Sequence, residues 1–293
     1  MNKQQKETKI FFEKDVKNWS KKSNFKNAKV FNTIHERNLY VLNLIRKYNL
    51  KKHLDVGCGP GDLAFESSKL TKKTIGIDFA KNMTNLAKIK FKRKNLVYLN
   101  KSFFSFKPEI SFDCISANGF IEYLSINQIL NFFKYSYKYL DKGGLISVSS
   151  RNRLFNLFSL NEFTIKEISL KSFKSFLNES IRLNFSKNIH SFLTGSKKKI
   201  SKIQYKQPHT GINVKLRHQF SPDQLANVLS NFGFKVLDLQ PINFHPVPPS
   251  IYSLSKEFKT FSNKIFFESY LSKCSKLSFI PFSSSFVIVG KKK

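Results

Sequence analysis

Leu54-Asp55-Val56-Gly57-Cys58-Gly59-Pro60-Gly61-Asp62 is the stretch that decides the fold of this 293-residue chain. An apolar run, His53–Val56, enters three glycines at alternate positions, and a helical pattern over 62–70 follows. The order predicts a buried strand, a tight loop and a helix start. Glycine tolerates the backbone angles of such a loop and lets a ligand approach the main chain. The helix start behind it offers N–H groups without intrahelical partners. A dinucleotide loop wants Gly-x-Gly-x-x-Gly, but Asp62 stands where that pattern needs its third glycine. No Gly-Lys-Ser/Thr follows, so a P-loop is excluded too. Asp55 and Asp62 flank the glycines, which suits a ligand carrying positive charge better than a pyrophosphate.

On either side the chain alternates short apolar runs with helical patterns. Strands are expected at 53–56, 74–78, 96–99, 112–116 and 145–149, the last after a turn at Asp141-Lys142-Gly143-Gly144. Helices are expected at about 62–70, 80–92 and 126–140. That alternation predicts a parallel sheet with helices on both faces and right-handed crossovers. Residues 1–50 read as a helical lead-in whose apolar face is Val41, Leu42, Leu44 and Ile45. From 151 to 220 no strand pattern occurs; Phe173, Phe176, Leu177 and Ile181 sit at helical spacing. This insertion reads as a helical cap or a partly mobile region. Ser221-Pro222-Asp223 is a helix-start signal, Gly233 a stop, and strands are expected at 234–239 and 286–289. Between them, Pro241, Pro246, Pro248 and Pro249 predict a rigid loop and 251–272 a helix. The organisation expected is an N-terminal lid (1–50), a Rossmann-like half (51–150), a helical insertion (151–220) and a C-terminal half completing the sheet (221–293).

Over about 40–150, and again over 215–240, the chain resembles the class I S-adenosylmethionine-dependent methyltransferases. The resemblance implies an α/β fold: a doubly wound, Rossmann-like, seven-stranded sheet, mostly parallel with an antiparallel last strand. It implies S-adenosyl-L-methionine as cofactor. Asp55, Gly57, Cys58, Gly59 and Gly61 match the family's first motif, with Cys58 as a small filler. Gly76-Ile77-Asp78-Phe79 matches the second, in which the acid takes both ribose hydroxyls; Met83 falls where the family often places a residue near the adenine. The third motif departs, since Ser102-Phe103 stands where the family commonly has an acid. Asn118 and Gly119 would flank the methionine part of the cofactor, and Arg37 is expected either at its carboxylate or in solvent. Phe12 and Trp19 read either as a lid over the cofactor or as ordinary helix packing.

The reaction so implied is an in-line displacement at a sulfonium methyl, with a base for a hydroxyl acceptor. His218 leads the candidates, followed by His209, Glu122 and Tyr123, with His245 also considered. The resemblance points to small-molecule members, such as those of quinone, tetrapyrrole or surface-sugar biosynthesis, which build their acceptor pocket from the insertion. An ordinary helical cap with its own core is the equal alternative. An RNA or protein methyltransferase, and a non-catalytic cofactor-binding partner subunit, stand as other readings.

Composition sets the outer limits. Hydrophobic residues are 41% and charged residues 24%, which excludes a wholly disordered or collagenous chain. No apolar run reaches the ~18 residues of a membrane helix, and no signal peptide is read at the N-terminus; a cytoplasmic location is expected. Lys+Arg is 51 against 19 Asp+Glu, a net charge of +32. Only seven are Arg, leaving 44 Lys, whereas Arg is the residue of bidentate phosphate and base recognition. AT-rich codon usage accounts for the excess at least as well as a selected polyanion surface, and nucleic acid is not the expected partner. The interleaved Lys and Phe of 155–200 instead predict peripheral docking on an anionic membrane. Cys58, Cys114 and Cys274 have no metal-ligand spacing, and no metal site is expected.

Overall fold

A computed structural model describes residues 3–24, 32–194, 217–252 and 275–293. Most of the expected 251–272 helix, and His209, lie outside the described residues. Seven strands form one sheet: β1 (Lys52–Val56), β2 (Lys73–Asp78), β3 (Leu96–Asn100), β4 (Phe112–Ala117), β5 (Leu140–Arg151), β6 (Phe234–Phe244) and β7 (Ser283–Lys292). Their spatial order is β3-β2-β1-β4-β5-β7-β6. The first five run parallel, and β7 is antiparallel to both β5 and β6. This is the doubly wound, mostly parallel arrangement the glycine-loop resemblance implied.

Strands covered on both faces are built from continuous apolar runs. Leu54, Val56, Ile77, Ile115, Ala117, Ile146 and Val148 are buried in this way. Between strands lie α4 (Asp62–Ser68), α5 (Lys81–Lys90), α6 (Ile126–Tyr139) and, before β6, α11 (Pro222–Asn231). Phe132 and Phe133 of α6 and Leu225 and Leu229 of α11 pack with β4, β5 and β7 residues into the main core. On the opposite face, Val41, Leu42 and Ile45 of α3 (Thr33–Lys47) meet Leu63, Cys114 and Leu145. The helix-start signal at 221 is a full capping box: Ser221 Oγ accepts from Gln224 N, and the Gln224 side chain accepts from Ser221 N.

Two boundaries differ from expectation, both for physical reasons. Strand β5 begins at Leu140, so the expected turn at 141–144 is a register shift against β4 rather than a connection; Gly143 takes its left-handed conformation there (φ 77°). Strand β6 runs to Phe244 and contains Pro241, one of the residues read as a rigid loop. β6 is an edge strand, where a residue without an N–H leaves no neighbouring strand unpaired.

The described part of the insertion is helical: α7 (Phe155–Phe158), α8 (Glu162–Ser169), α9 (Phe173–Phe185) and α10 (Ile189–Leu193). Within it, Arg153 grips Glu167 in a buried pair through Nε and Nη2 at 2.7 and 2.8 Å; a part-buried pair, Arg182 with Asp223 at 2.8 Å, ties it to the start of α11. The N-terminal segment forms α1 (Lys3–Lys14) and α2 (Val16–Ser23), laid along α5.

Candidate active site

In an open α/β sheet, ligands bind at the carboxyl ends of the strands where strand order reverses. Here that point lies between β1 and β4. The loop after β1 is shaped by Gly57, Gly59 and Gly61, with φ of 70°, 53° and 89°. Gly57 N and Cys58 N both donate to Ile77 O of β2, at 2.9 and 3.0 Å, folding the loop over the sheet edge. Gly61 caps α4, and a Cβ there would lie 2.6 Å from the Tyr98 hydroxyl, which donates to Gly61 O at 2.9 Å. Gly61 is thus demanded by packing and is absent from the cavity lining.

Asp78 closes β2. Its Oδ2 accepts from Gly59 N at 3.0 Å and its Oδ1 from Ala80 N at 2.8 Å. A carboxylate has about four acceptor sites, so two remain toward the cavity that Asp78 lines. Burial raises its pKa to about 6. Asp55 lies deeper, at the end of a buried chain. Ser116 Oγ donates to Asp55 Oδ1 at 2.8 Å and also meets His53 Nε2 at 2.8 Å. The His53 Nδ1 in turn meets Ser67 Oγ at 2.8 Å. Burial holds His53 neutral, with a pKa near 3, and raises Asp55 to about 7.

A cavity of 290 Å³ opens above this edge. Its floor contains Gly57, Gly59, Asp78, Phe79, Met83, Ser102, Phe103, Asn118 and Gly119, nine of the twelve residues expected at the cofactor. Asp55 and Cys58 line a smaller adjoining hollow that shares Arg37, Gly57, Gly59 and Asn118 with it. The Cys58 thiol faces Gly76 and Tyr98, and burial pushes its pKa well up, as fits a filler. Asp62 also borders the hollow but is engaged by Ser23 Oγ at 2.6 Å and Lys90 Nζ at 3.4 Å. Ser102 caps the turn at 103–105 by accepting from Phe104 N at 3.3 Å. Arg37 is drawn into the site: Nη1 donates to Ser149 Oγ at 3.2 Å and lies beside Gly119, whose N–H donates to the same oxygen.

The roof comes from the N-terminal helices. Thr8, Phe12, Trp19 and Lys22 line the cavity, and Phe12 packs edge-on against Tyr123 with ring centroids 5.5 Å apart. Glu13 fastens this roof by accepting from Lys81 N and Asn82 N, at 2.6 and 2.8 Å, at the start of α5. The insertion supplies no lining residue from 155 to 194. Among the described residues of the insertion, those that reach the site are at its two ends, Arg151 and Arg217.

Those ends meet the turn after β4. Arg217 Nη2 donates to Glu122 Oε1 at 2.7 Å, and Arg151 Nε stands 3.9 Å from Glu122 Oε2. Burial pushes the Glu122 carboxyl up, but Arg217, Arg151 and Arg37 together outweigh it and hold the pKa below its usual range. A carboxylate so held is a weak base. Burial raises the Tyr123 hydroxyl, so it stays protonated at neutral pH. His218 is buried and does not line the cavity; it stacks on Phe220, and burial lowers its pKa to about 4. His245 lies against Phe155, away from the cavity, with its pKa also lowered to about 4, mainly by burial.

Arg217 is the residue that sequence reasoning passed over in favour of its neighbour. The chain is extended there, bridging Phe220 to Asn152, and successive side chains of an extended chain face opposite ways. A one-residue difference in parity puts Arg217 inside and His218 outside. Phe12 and Trp19 line the cavity, as one of the two readings of them expected, whereas Thr8, Lys22 and Ser149 carried no motif. Among the described residues no group of His, Cys, Asp and Glu is arranged to hold a metal ion.

Comparison with known proteins accords with this geometry. Residues 54–144 match the family model described as a methyltransferase domain. The ubiquinone biosynthesis O-methyltransferase of Pelagibacter ubique (strain HTCC1062) is 30% identical over 146 residues, 46% of this chain and 60% of that protein. The matched segment thus spans under two thirds of that relative. Among solved structures, magnesium protoporphyrin IX methyltransferase from Synechocystis PCC 6803 with bound SAH superposes over 100% of both chains, with a TM-score of 0.57 at 10% identity. The N-methyltransferase NodS from Bradyrhizobium japonicum WM9, with S-adenosyl-L-homocysteine, covers 96% of this chain and 98% of its own, with a TM-score of 0.53 at 10% identity. At such identities the structures speak for the fold alone. Residues 54–144, glycine loop included, thus match a methyltransferase domain, and the chain as a whole shares the fold of these structures.

Proposed function

We propose that this protein transfers a methyl group from S-adenosylmethionine to a small-molecule acceptor. The observation that carries the reading is the roofed cavity on which Asp78, the glycine loop, Arg37 and the Glu122–Arg217 pair converge. The cofactor supplies an electrophilic methyl on a sulfonium centre. The residues present fit it: Asp78 has two acceptor sites left for a vicinal diol, and Met83, Phe79 and Phe103 offer an apolar bed for a purine. Asp55 in the adjoining hollow suits an ammonium, and Arg37, whose buried Nε has no partner among the described residues, suits a carboxylate. Displacement breaks the sulfur–methyl bond as the acceptor atom bonds to the same carbon. The protein's share is alignment and exclusion of water, which the Phe12–Trp19 roof serves.

A cavity of this size, at the small end of those that take small molecules, favours such an acceptor over RNA or protein. The name of the Pelagibacter relative agrees with that class. The direct test is calorimetry with S-adenosylmethionine on the wild type and an Asp78→Ala variant. Tight binding lost in the variant is expected; no binding by the wild type, or equal binding by both, overturns the reading.

A second reading concerns location. Phe173, Leu177, Ile181 and Phe185 form an i, i+4 stripe along α9 and are 38, 43, 46 and 80% exposed. Ile165 and Ile168 of α8 add to it, and Lys166, Lys171, Lys174 and Lys187 are exposed around them. An apolar stripe rimmed by lysines fits the boundary of an anionic bilayer. No helix among the described residues is long and apolar enough to cross a membrane. Co-sedimentation with vesicles of phosphatidylcholine and phosphatidylserine is expected at low salt, and is expected to fail for a Phe173→Ser/Leu177→Ser/Ile181→Ser/Phe185→Ser variant. Wild-type protein left wholly in the supernatant ends the idea.

A further inference from the structure

The acceptor end of the cavity holds more positive charge than its own residues balance. Arg37, Arg151 and Arg217 all line the cavity, and Glu122 is the carboxylate that faces all three. Tyr123 beside them remains a neutral hydroxyl; Glu36 acts on Arg37, and His245 feels Arg151, from outside the cavity. Glu36 gives one carboxylate oxygen to Asn243 N at 2.8 Å. Asp55 and Asp78 belong to the other end.

The geometry divides the three cations. Arg37 is committed to Ser149 and lies beside Gly119, in the part read as the cofactor's. Arg217 and Arg151 remain. Arg217 is 3% exposed and lies over the Tyr123 ring, its guanidinium carbon 5.1 Å from the centroid. One of its nitrogens meets Glu122; its Nε and Nη1 are buried with no partner among the described residues. Arg151 reaches Glu122 only at 3.9 Å, beyond hydrogen-bond range. A guanidinium is a planar fork of five donors that matches the oxygens of a carboxylate or phosphate. Leaving such donors buried and unmet is costly, and a cation pair against one carboxylate costs more. An anion bound between them removes both costs.

We propose that Arg217 and Arg151 form an oxyanion-binding subsite for the methyl acceptor, which is therefore a small, partly apolar molecule carrying a carboxylate or phosphate group. Glu122 orients Arg217 and neutralises one of the two charges, leaving the other for the ligand. Phe12, Leu124 and the Tyr123 ring line the same cavity and suit the acceptor's apolar body. Arg217 and Arg151 touch the acceptor; Glu122 is a positioning residue. This inference rests on the methyltransferase reading and deepens it.

The test uses the full chain saturated with S-adenosylhomocysteine, titrated by calorimetry with benzoate, phenyl phosphate and benzamide. Benzoate, phenyl phosphate or both should bind at least about tenfold tighter than benzamide, which is neutral but nearly the same shape; which of the two binds names the oxyanion. Arg217→Gln should abolish the preference and Arg217→Lys restore part of it, since charge returns without the fork. Glu122→Gln supplies the discriminating result: removing the counter-charge should tighten benzoate or phenyl phosphate binding severalfold, whereas a purely structural Glu122 would weaken it. Should Arg217 variants fail to fold, Arg151→Gln, on the more exposed partner, carries the same expectation of lost preference. Failure of the wild type to bind S-adenosylhomocysteine would sink the methyltransferase reading. Cofactor binding with no preference among the three probes, or Glu122→Gln weakening the anions, would sink the subsite alone.

Discussion

The two ends of the cavity are built on opposite principles. At the cofactor end, between 54 and 119, each polar group sits at the end of a parallel strand, and its position follows from the strand before it. The loop is bonded to Ile77 O, Asp78 accepts from Gly59 N and Ala80 N, Asp55 accepts from Ser116 Oγ at the end of the neighbouring strand, and Gly119 N donates to Ser149 Oγ. At the acceptor end, Glu122, Arg151 and Arg217 arrive from a turn, a strand end and a returning segment. They are held mostly by one another. A site made from one repeated strand–loop–helix unit is rigid and general; a site made from side chains meeting across the chain is free to change its substrate without touching the fold. Perturbations of the two ends should differ accordingly.

The largest effect is expected from removing the diol acceptor. Asp78→Ala forfeits two charge-assisted hydrogen bonds to the ligand, each worth about 1.5–3 kcal/mol, so S-adenosylhomocysteine affinity should fall by at least about 100-fold. Benzoate or phenyl phosphate binding to the ligand-free protein should change by less than about threefold. If both ends lose affinity together, the separation drawn above is false.

Gly61→Ala should be next, and it should act on stability rather than on contacts with ligand. The left-handed backbone costs a side chain about 1–2 kcal/mol. The added methyl would also sit 2.6 Å from the buried Tyr98 hydroxyl, an overpacking worth about 1–3 kcal/mol more. A thermal melt should show a loss of several degrees, with S-adenosylhomocysteine still bound by the folded fraction. An unchanged melting temperature would show that Tyr98 yields freely.

The difference between the ends also explains how much the sequence discloses. The strands are readable because their buried stretches are apolar runs, and Asp55, the glycines and Asp78 are tied to those runs by spacing. The acceptor end has no such ruler. Arg217 and His218 are adjacent, and only the parity of an extended segment decides which one faces inward. The insertion's phenylalanines resemble a pocket lining in sequence, yet Phe176 and Phe192 pack into the core while Phe173 and Phe185 face outward. The roof residues Thr8, Phe12 and Trp19 lie on short, lysine-rich helices whose role depends on where Glu13 docks. Pro241 reads as a loop residue because nothing local reveals that its strand is an edge.

Protonation supplies a third contrast. Burial raises Asp55 to about 7 and Asp78 to about 6. Carboxyls whose folded pKa exceeds the unfolded value near 4 favour the folded state below that value. Their contribution is lost as pH rises through about 6–7. A ligand that binds the ionised forms works against this loss, so the stabilisation by S-adenosylhomocysteine should grow from pH 5 to pH 7.5. The expected slope is up to about tenfold in affinity per pH unit for each group titrating. Melting curves with and without ligand at the two pH values check the sign. A ligand effect that is constant or shrinks over that range would mean neither carboxyl needs to be ionised for binding. Benzoate, held by arginines, should show no such dependence between these values.

The smallest effect is expected at the roof, and it tests how the two ends share a lid. Glu13 is a half-exposed carboxylate on α1 whose two oxygens accept from the first N–H groups of α5. Capping contacts of this kind contribute about 0.5–2 kcal/mol, and exposure puts this one at the lower end. Glu13→Ala should therefore leave the melting temperature within a degree or two. What it should change is opening. Helix α1 meets the rest of the protein mainly through α5 and through Phe12 on Tyr123, so hydrogen exchange over 3–23 should quicken. S-adenosylhomocysteine should dissociate severalfold faster, and so should benzoate from the ternary complex, because both lie beneath the same helix. Glu13→Gln, which keeps one acceptor oxygen, should restore part of both. If only one ligand is released faster, the roof covers that end alone; if exchange over 3–23 is unaltered, the Phe12–Tyr123 contact, not Glu13, holds the lid.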